Sequence, residues 1–246
     1  MTPSPQKIER LVAWVSCTVV LVFVSACERS AAVGTPAPES PASTVSRANW
    51  PADTVLALNG APIRAAEVDA IASIITRAEE EHTLPHLRRI ALTNVVLMLH
   101  ATRQFAGESK RAAALDRARA WRDALAGGEA PPSSIAAPIE DEVRGGFGMT
   151  GLEVWDWALD CTLNEWSQPI ETPGAWRVAR VLERSAGLRP CDVVLRVELH
   201  TFVWDTSASF DKDVEAFVDR SKLEYVDDAW RDLVPTLWQR RLRGTP

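Results

Sequence analysis

The sequence predicts an α+β protein in which a helical part packs with a small antiparallel sheet, and three observations carry that expectation. Apolar residues recur at helical spacing between residues 64 and 126. Two runs, 175–184 and 192–204, are rich in Val, Leu, Phe and Trp and are joined across Ser185 to Pro190, the pattern of two strands in a hairpin. Gly127-Gly128 and the prolines Pro131, Pro132 and Pro138 separate the two regions.

Taken in order, Val55 to Leu58 reads as an apolar strand, Asn59-Gly60 as a turn and Pro62-Ile63 as its exit. Val68, Ile71, Ala72, Ile75 and Ala78 fall on one face of a helix over Arg64 to Glu81. Thr83 is placed to cap the next helix and Pro85 suits its first turn; Leu87, Ile90, Ala91, Val95, Met98 and Phe105 then form its apolar face. Ser109 can cap a further helix, Lys110 to Ala126. Residues 129–148, with the acidic run Glu140-Asp141-Glu142, read as loop. A short helix over Leu152 to Leu163 precedes the two strands, and Phe210 to Ser221 reads as helix. Trp230, Leu233, Val234, Leu237 and Trp238 predict a closing amphipathic helix. These elements divide into a helical part at 53–126, a sheet part at 127–204, and a C-terminal segment, 205–246, expected to pack back on the helical part.

A net charge of −6 and the absence of any Lys/Arg run exclude a phosphate-binding surface and hence a nucleic-acid partner. Residues 1–26 read as a signal segment: Lys7 and Arg10 precede an uncharged apolar stretch, Leu11 to Ala26. It ends in Val24-Ser25-Ala26-Cys27, which resembles the lipobox of bacterial lipoproteins, so Cys27 is the expected lipid attachment point. Glu28 follows, not Asp, which favours the outer over the inner membrane, with the folded part facing the periplasm. Residues 27–52 are rich in Ala, Pro and Ser and read as a flexible tether. Cys161 and Cys191 remain, and an oxidising compartment allows either a disulfide between them or two buried thiols.

Three stretches resemble parvulin-type peptidyl-prolyl isomerases and the related periplasmic foldase-chaperones. "VLALNGAPIRAAEVD" (55–69) is similar to the opening of their helical chaperone domain. "VRGGFGMTGLEVWDWALD" (143–160) is similar to the Gly-Gly loop and short helix of the isomerase domain, and "NEWSQPIETPGAWRVARVLER" (164–184) to its closing turn and final strand. The resemblance spans residues 53–184. It implies a client that is unfolded or contains proline, a reaction that rotates the Xaa-Pro bond, and no cofactor or metal. It also implies a site with two histidines on neighbouring strands, a Cys or Asp, and apolar residues that grip the proline ring. Met149, Leu152, Trp155 and Trp176 are the residues expected to line that surface. Trp157 and Trp176 also suit core places, whereas Trp155 is the one expected to meet a client peptide.

The chain departs from this pattern at the catalytic positions. The final-strand histidine falls on Arg177, which cannot accept a proton. The first histidine-bearing strand is missing, and the Cys or Asp position falls near Ile139, beside Glu140 and Asp141. Pairing 175–184 with 192–204 in one register sets Arg177 against Glu198 and Ala179 against Arg196, with His200 on the same face. Strand 192–204 would then fill the place of the missing strand, and His200, Arg177 and Glu198 become the catalytic candidates, against a plain reading as a solvated, ion-paired sheet face. Whether isomerase activity survives is left open. A reading from another class is a structural lipoprotein that holds one fixed envelope partner or a glycan through a tryptophan-rich surface. Gly146 to Gly151 spells G-x-G-x-x-G without a preceding apolar strand; His82 and His86 lack a third ligand; and Glu153, Asp156 and Asp160 share one face of a short helix.

Overall fold

The computed structural model describes residues 50–78, 82–147, 150–236 and 238–239. The signal segment, Cys27, the tether up to residue 49, Met149 and Leu237 lie outside the described residues. The fold is α+β, with two small antiparallel sheets and a helical layer that serves both.

Asn59 and Gly60 both take positive φ, 49° and 80°, which gives a two-residue turn the twist that a hairpin needs. The turn joins β1 (Thr54–Leu58) to β2 (Ala61–Arg64), so the exit after the turn is itself a strand. Pro62 sits on that edge strand, where a missing N–H is tolerated. On its other side β1 pairs with β7 (Leu223–Tyr225), so the C-terminal region completes a sheet begun at the N-terminus.

α1 (Ala65–Ala78) buries Val68, Ala72 and Ile75, as their spacing predicts. α2 (Leu84–Ala91) runs through a π-helical turn, Leu92–Val96, into α3 (Leu97–Ala126). Thr83 occupies the cap position of α2 without a side-chain cap bond. α3 is hinged at Gly107, whose φ of 75° and ψ of 165° belong to a region that is essentially glycine's own. That hinge replaces the expected fresh start at Ser109, and it redirects the helix from one core to another. Before it, Leu97 and Ala101 join Leu56, Leu58, Ile63, Val68 and Leu92. α5 (Phe210–Arg220) adds Val214 and Val218 to this core, and the chain end adds Trp230, Val234 and Trp238. The chain end is not one amphipathic helix: Asp228–Leu233 is a 3-10 helix, and Pro235, which has no N–H to give, breaks its continuation toward Trp238.

The second sheet holds β3 (Ile139–Gly145), β4 (Ile170–Thr172), β5 (Ala175–Arg184) and β6 (Leu195–Val203) in the order β3-β6-β5-β4, with every pair antiparallel. The stretch expected as loop therefore contains a strand. β3 is an edge strand, so its acidic side chains stay in water, and Glu142 meets Arg196 of β6. α4 (Leu152–Asp160) lies against one face of this sheet, where Val154, Trp155 and Ala158 bury Ala179, Val181, Val197 and Leu199. The part of α3 beyond Gly107 covers the other, where Ala118 and Trp121 meet Val178 and Phe202.

The register differs from the expected one by three residues along β6. Arg177 stands opposite Thr201 and Val178 opposite His200, while Glu198 faces Arg180. Neither face of the sheet is a solvated polar face. With both faces buried, alternation alone does not select a register, and a bulge between Val181 and Glu183 resets the pairing along β5.

Candidate functional site

Directly paired residues of neighbouring strands point to the same side of a sheet. Ile170, Arg177, Thr201 and Ile139 are paired in sequence from β4 to β3 and so form one row across all four strands. The next rows on that face lie beneath α4. This row lies beyond the helix start and is only partly covered: Ile170, Arg177 and Thr201 are half-buried, and Ile139 is 61% exposed. The result is a half-open row with an apolar residue at either end and polar groups between them.

Arg177 is held in place from the segment that leads into α4. Its Nη1 donates to the carbonyl of Thr150 at 2.9 Å, and Thr150 is itself buried. Gly151, the N-cap of α4, has φ 84°, and a Cβ there would stand 2.9 Å from that same nitrogen. The backbone conformation at 151 favours glycine, and a Cβ there would also have to displace the guanidinium end of Arg177. Burial lowers the affinity of Arg177 for its proton, while Glu153 and Asp141 pull the other way. An arginine remains cationic under such a shift, so the row carries a fixed positive charge.

Glu153, in the first turn of α4, is the counter-charge. Burial pushes its carboxyl above the usual carboxylate range, its own backbone N–H and Arg177 opposing. The two side chains interact electrostatically without forming an ion pair, and Arg177 Nε and Glu153 Oε1 are both buried with no hydrogen-bond partner among the described residues.

His200 is not part of this site. It pairs with Val178, so its ring lies on the opposite face of the sheet from Arg177. There it is 5% exposed, bonded to Trp121 and Glu198, with the Trp166 ring set edge-on at 4.9 Å. Glu198 binds Arg180 rather than Arg177. Burial pulls its carboxyl up, but the bonds from His200 and Arg180 hold it below the usual range. The three catalytic candidates are thus split between two faces.

The expected substrate surface is rearranged as well. Trp155 is fully buried, edge-on to Phe147 at 5.0 Å, while Trp157 is the half-buried member of the pair. Trp176 lies on the α3 side, where its indole N–H donates to the Arg111 carbonyl. Leu152 is half-buried against the helical core, at the start of α4. The described tryptophans are buried or half-buried, with Trp50, Trp157, Trp166 and Trp176 keeping part of their surface accessible.

Cys161 and Cys191 are free thiols, both half-buried. Arg184 donates to the Cys161 carbonyl and to its sulfur at 3.3 Å, which fixes that segment without a disulfide. The acidic trio on α4 separates too: Asp156 and Asp160 bind Arg77 of α1, and Glu153 faces Arg177. The rings of His82 and His86 lie 4.5 Å apart, and no metal-binding group of His, Cys, Asp and Glu occurs among the described residues. No helix among the described residues is long and apolar enough to cross a membrane.

Sequence reasoning singled out Arg177 but missed Thr201, Ile170 and Glu153 as its neighbours. The observed register places Thr201 and Ile170. The signal for Glu153 was present: it is the only acidic residue in the first turn of α4. The chain matches no protein-family model, no curated protein and no solved structure.

Proposed function

We propose that this chain is an envelope lipoprotein, anchored through Cys27 and facing the periplasm, whose folded part binds unfolded or proline-containing polypeptides on a degenerate parvulin-like scaffold. The observation that carries this reading is the half-open row Ile170, Arg177, Thr201 and Ile139 at the start of α4. Apolar ends and hydrogen-bonding groups between them suit an extended peptide, which presents side chains and backbone polar groups in alternation. The central place of β6, beside β5, supports the scaffold: it is where the resemblance puts the family's first strand, reached here after the final strand instead of before it.

Catalysis by proton transfer has little to work with. The cation at 177 is not a base, and the one buried imidazole on this sheet faces α3. Rotation about a peptide bond faces a barrier of about 18–20 kcal/mol. Any acceleration here comes from taking an Xaa-Pro bond out of water beside Arg177, so binding is the leading activity and isomerisation a secondary one.

Two measurements test the reading. The purified protein should slow aggregation of a reduced and alkylated reporter protein that cannot refold, in proportion to its concentration, and Arg177→Met should weaken that effect. Incorporation of labelled palmitate in a bacterial host should disappear in Cys27→Ser. Failure to retain the unfolded reporter would remove the chaperone reading. Palmitate labelling that survives the substitution would remove the anchor.

A further inference from the structure

β3 leaves one side of its backbone unused. It is an end strand, paired only to β6, and that pairing runs from Ile139 to Gly145 without a bulge. Every second residue of an end strand turns its N–H and C=O away from the sheet. No backbone bond joins these groups to any other described residue, and five of the seven residues of β3 are exposed. Proteins often blunt such an edge with a proline or a bulge, and β3 has neither. Charge alone guards it, and charge of one sign turns some strands away while admitting others.

The side chains say which strands are admitted. Glu140, Asp141 and Glu142 stand side by side on the edge, all exposed. Glu142 is taken by Arg196, but Glu140 and Asp141 form no ion pair among the described residues. The net charge of −6 adds to their field, so an acidic strand is repelled and a basic one drawn in. Ile139, 61% exposed, and the half-buried Val143 flank the acids. We propose that the open edge of β3 pairs with an extended basic segment of another polypeptide, which adds a fifth strand to this sheet. The segment carries Lys or Arg opposite Glu140 and Asp141, and apolar side chains opposite Ile139 and Val143. It runs antiparallel to β3, as every other pair in the sheet does. The edge is a different surface from the row that holds Arg177, although Ile139 belongs to both. Pairing here needs nothing from Arg177, so it stands or falls apart from the reading above.

The probe is rhodamine-labelled Glu-Val-Thr-Lys-Lys-Val amide, whose order sets its lysines opposite Asp141 and Glu140 and its first residue opposite Arg144. Its affinity for the purified protein is read by fluorescence anisotropy. Alternate amides of an added strand face β3 and the rest face water. N-methylation of one alternating set should therefore weaken binding about tenfold or more, and methylation of the other set should be tolerated. Glu140→Lys should weaken binding of the parent peptide about fivefold, and a peptide with Glu opposite residue 140 should recover the loss. Glu140 is exposed and holds no ion pair among the described residues, so the fold should survive that change. Should it not, the N-methyl series on the unsubstituted protein decides alone. A parent peptide that does not bind would overturn the proposal. Binding that follows charge while both N-methyl sets behave alike would overturn it too, because an acidic surface attracts lysines without pairing a strand. A dimer of the protein alone that excludes the peptide would give the edge to a second copy and overturn it as well.

Discussion

Trp121 Nε1 donates to His200 Nδ1 over 2.9 Å, and because an indole nitrogen can only donate, the imidazole proton must sit on Nε2, where Glu198 Oε1 lies 3.0 Å away. The histidine is thereby fixed as a link between α3 and the sheet. His200→Ala should destabilise the protein by about 2–4 kcal/mol, through the cavity and the orphaned indole and carboxylate, read as a lower urea midpoint. Capture of an unfolded reporter by the protein that remains folded should be unchanged, since the ring lies on the far side of the sheet from Arg177. A folded variant that has lost capture would return His200 to the site.

The contrast between Arg177 and His200 also shows how far the sequence reaches. Local signals were enough for α1, whose apolar residues repeat every three to four positions, and for the Asn59-Gly60 turn, whose chemistry permits little else. Arg177 was singled out through the family resemblance, as the residue standing where the final-strand histidine falls. Local signals could not give its partners, because those depend on a register that alternation does not determine when Ala179 and Val178 are equally buried on opposite faces. The same limit inverted the roles of Trp155 and Trp157, two residues whose directions are set by where α4 docks and not by their own neighbourhood. β3 was illegible for a different reason: an acidic edge strand has neither the composition nor the alternation of a buried one, and only its pairing to β6 defines it.

Glu171 of β4 receives Arg103 from one side of the Gly107 hinge and Arg111 from the other, at 2.6 to 2.9 Å. Burial raises its carboxyl, but the two guanidiniums outweigh that and hold it below the ordinary value of 4.5. A carboxyl whose folded value is depressed stabilises the fold above its unfolded value, and that contribution is lost as pH falls through the folded one. Unfolding free energy should therefore be flat from neutrality down to roughly pH 5 and decline below about 4.5. Glu171→Gln should cost about 1–3 kcal/mol at neutral pH and make the acid decline shallower. A residual slope will persist from Glu198 and Glu67, which are depressed in the same direction. An unchanged acid profile in Glu171→Gln would show that the clasp across the hinge contributes nothing.

The free state of Cys161 and Cys191 predicts that a reducing agent leaves the unfolding midpoint of the folded part where it was. Iodoacetamide applied without reductant to the native protein should modify both. Cys161 should react slowly, because burial raises its thiol above the usual range. Peptide mapping that finds the two residues joined would refute this, and would require the segment held by Arg184 to move.

Gly151 ties the stability of the site to its function. Its φ of 84° disfavours every residue with a Cβ, and the added atom would stand 2.9 Å from Arg177 Nη1, against a side chain held by Thr150. Gly151→Ala should cost about 1–3 kcal/mol from the backbone alone. It should also push the guanidinium away from the Thr150 carbonyl. Capture of the unfolded reporter should then fall at least as far as in Arg177→Met, although no functional side chain has been removed. Arg177→Met combined with Gly151→Ala should bind no worse than Arg177→Met alone, because the glycine acts through the cation it makes room for. Additive losses in that double variant would mean that Gly151 supports binding by some other route, such as the setting of α4 against the sheet.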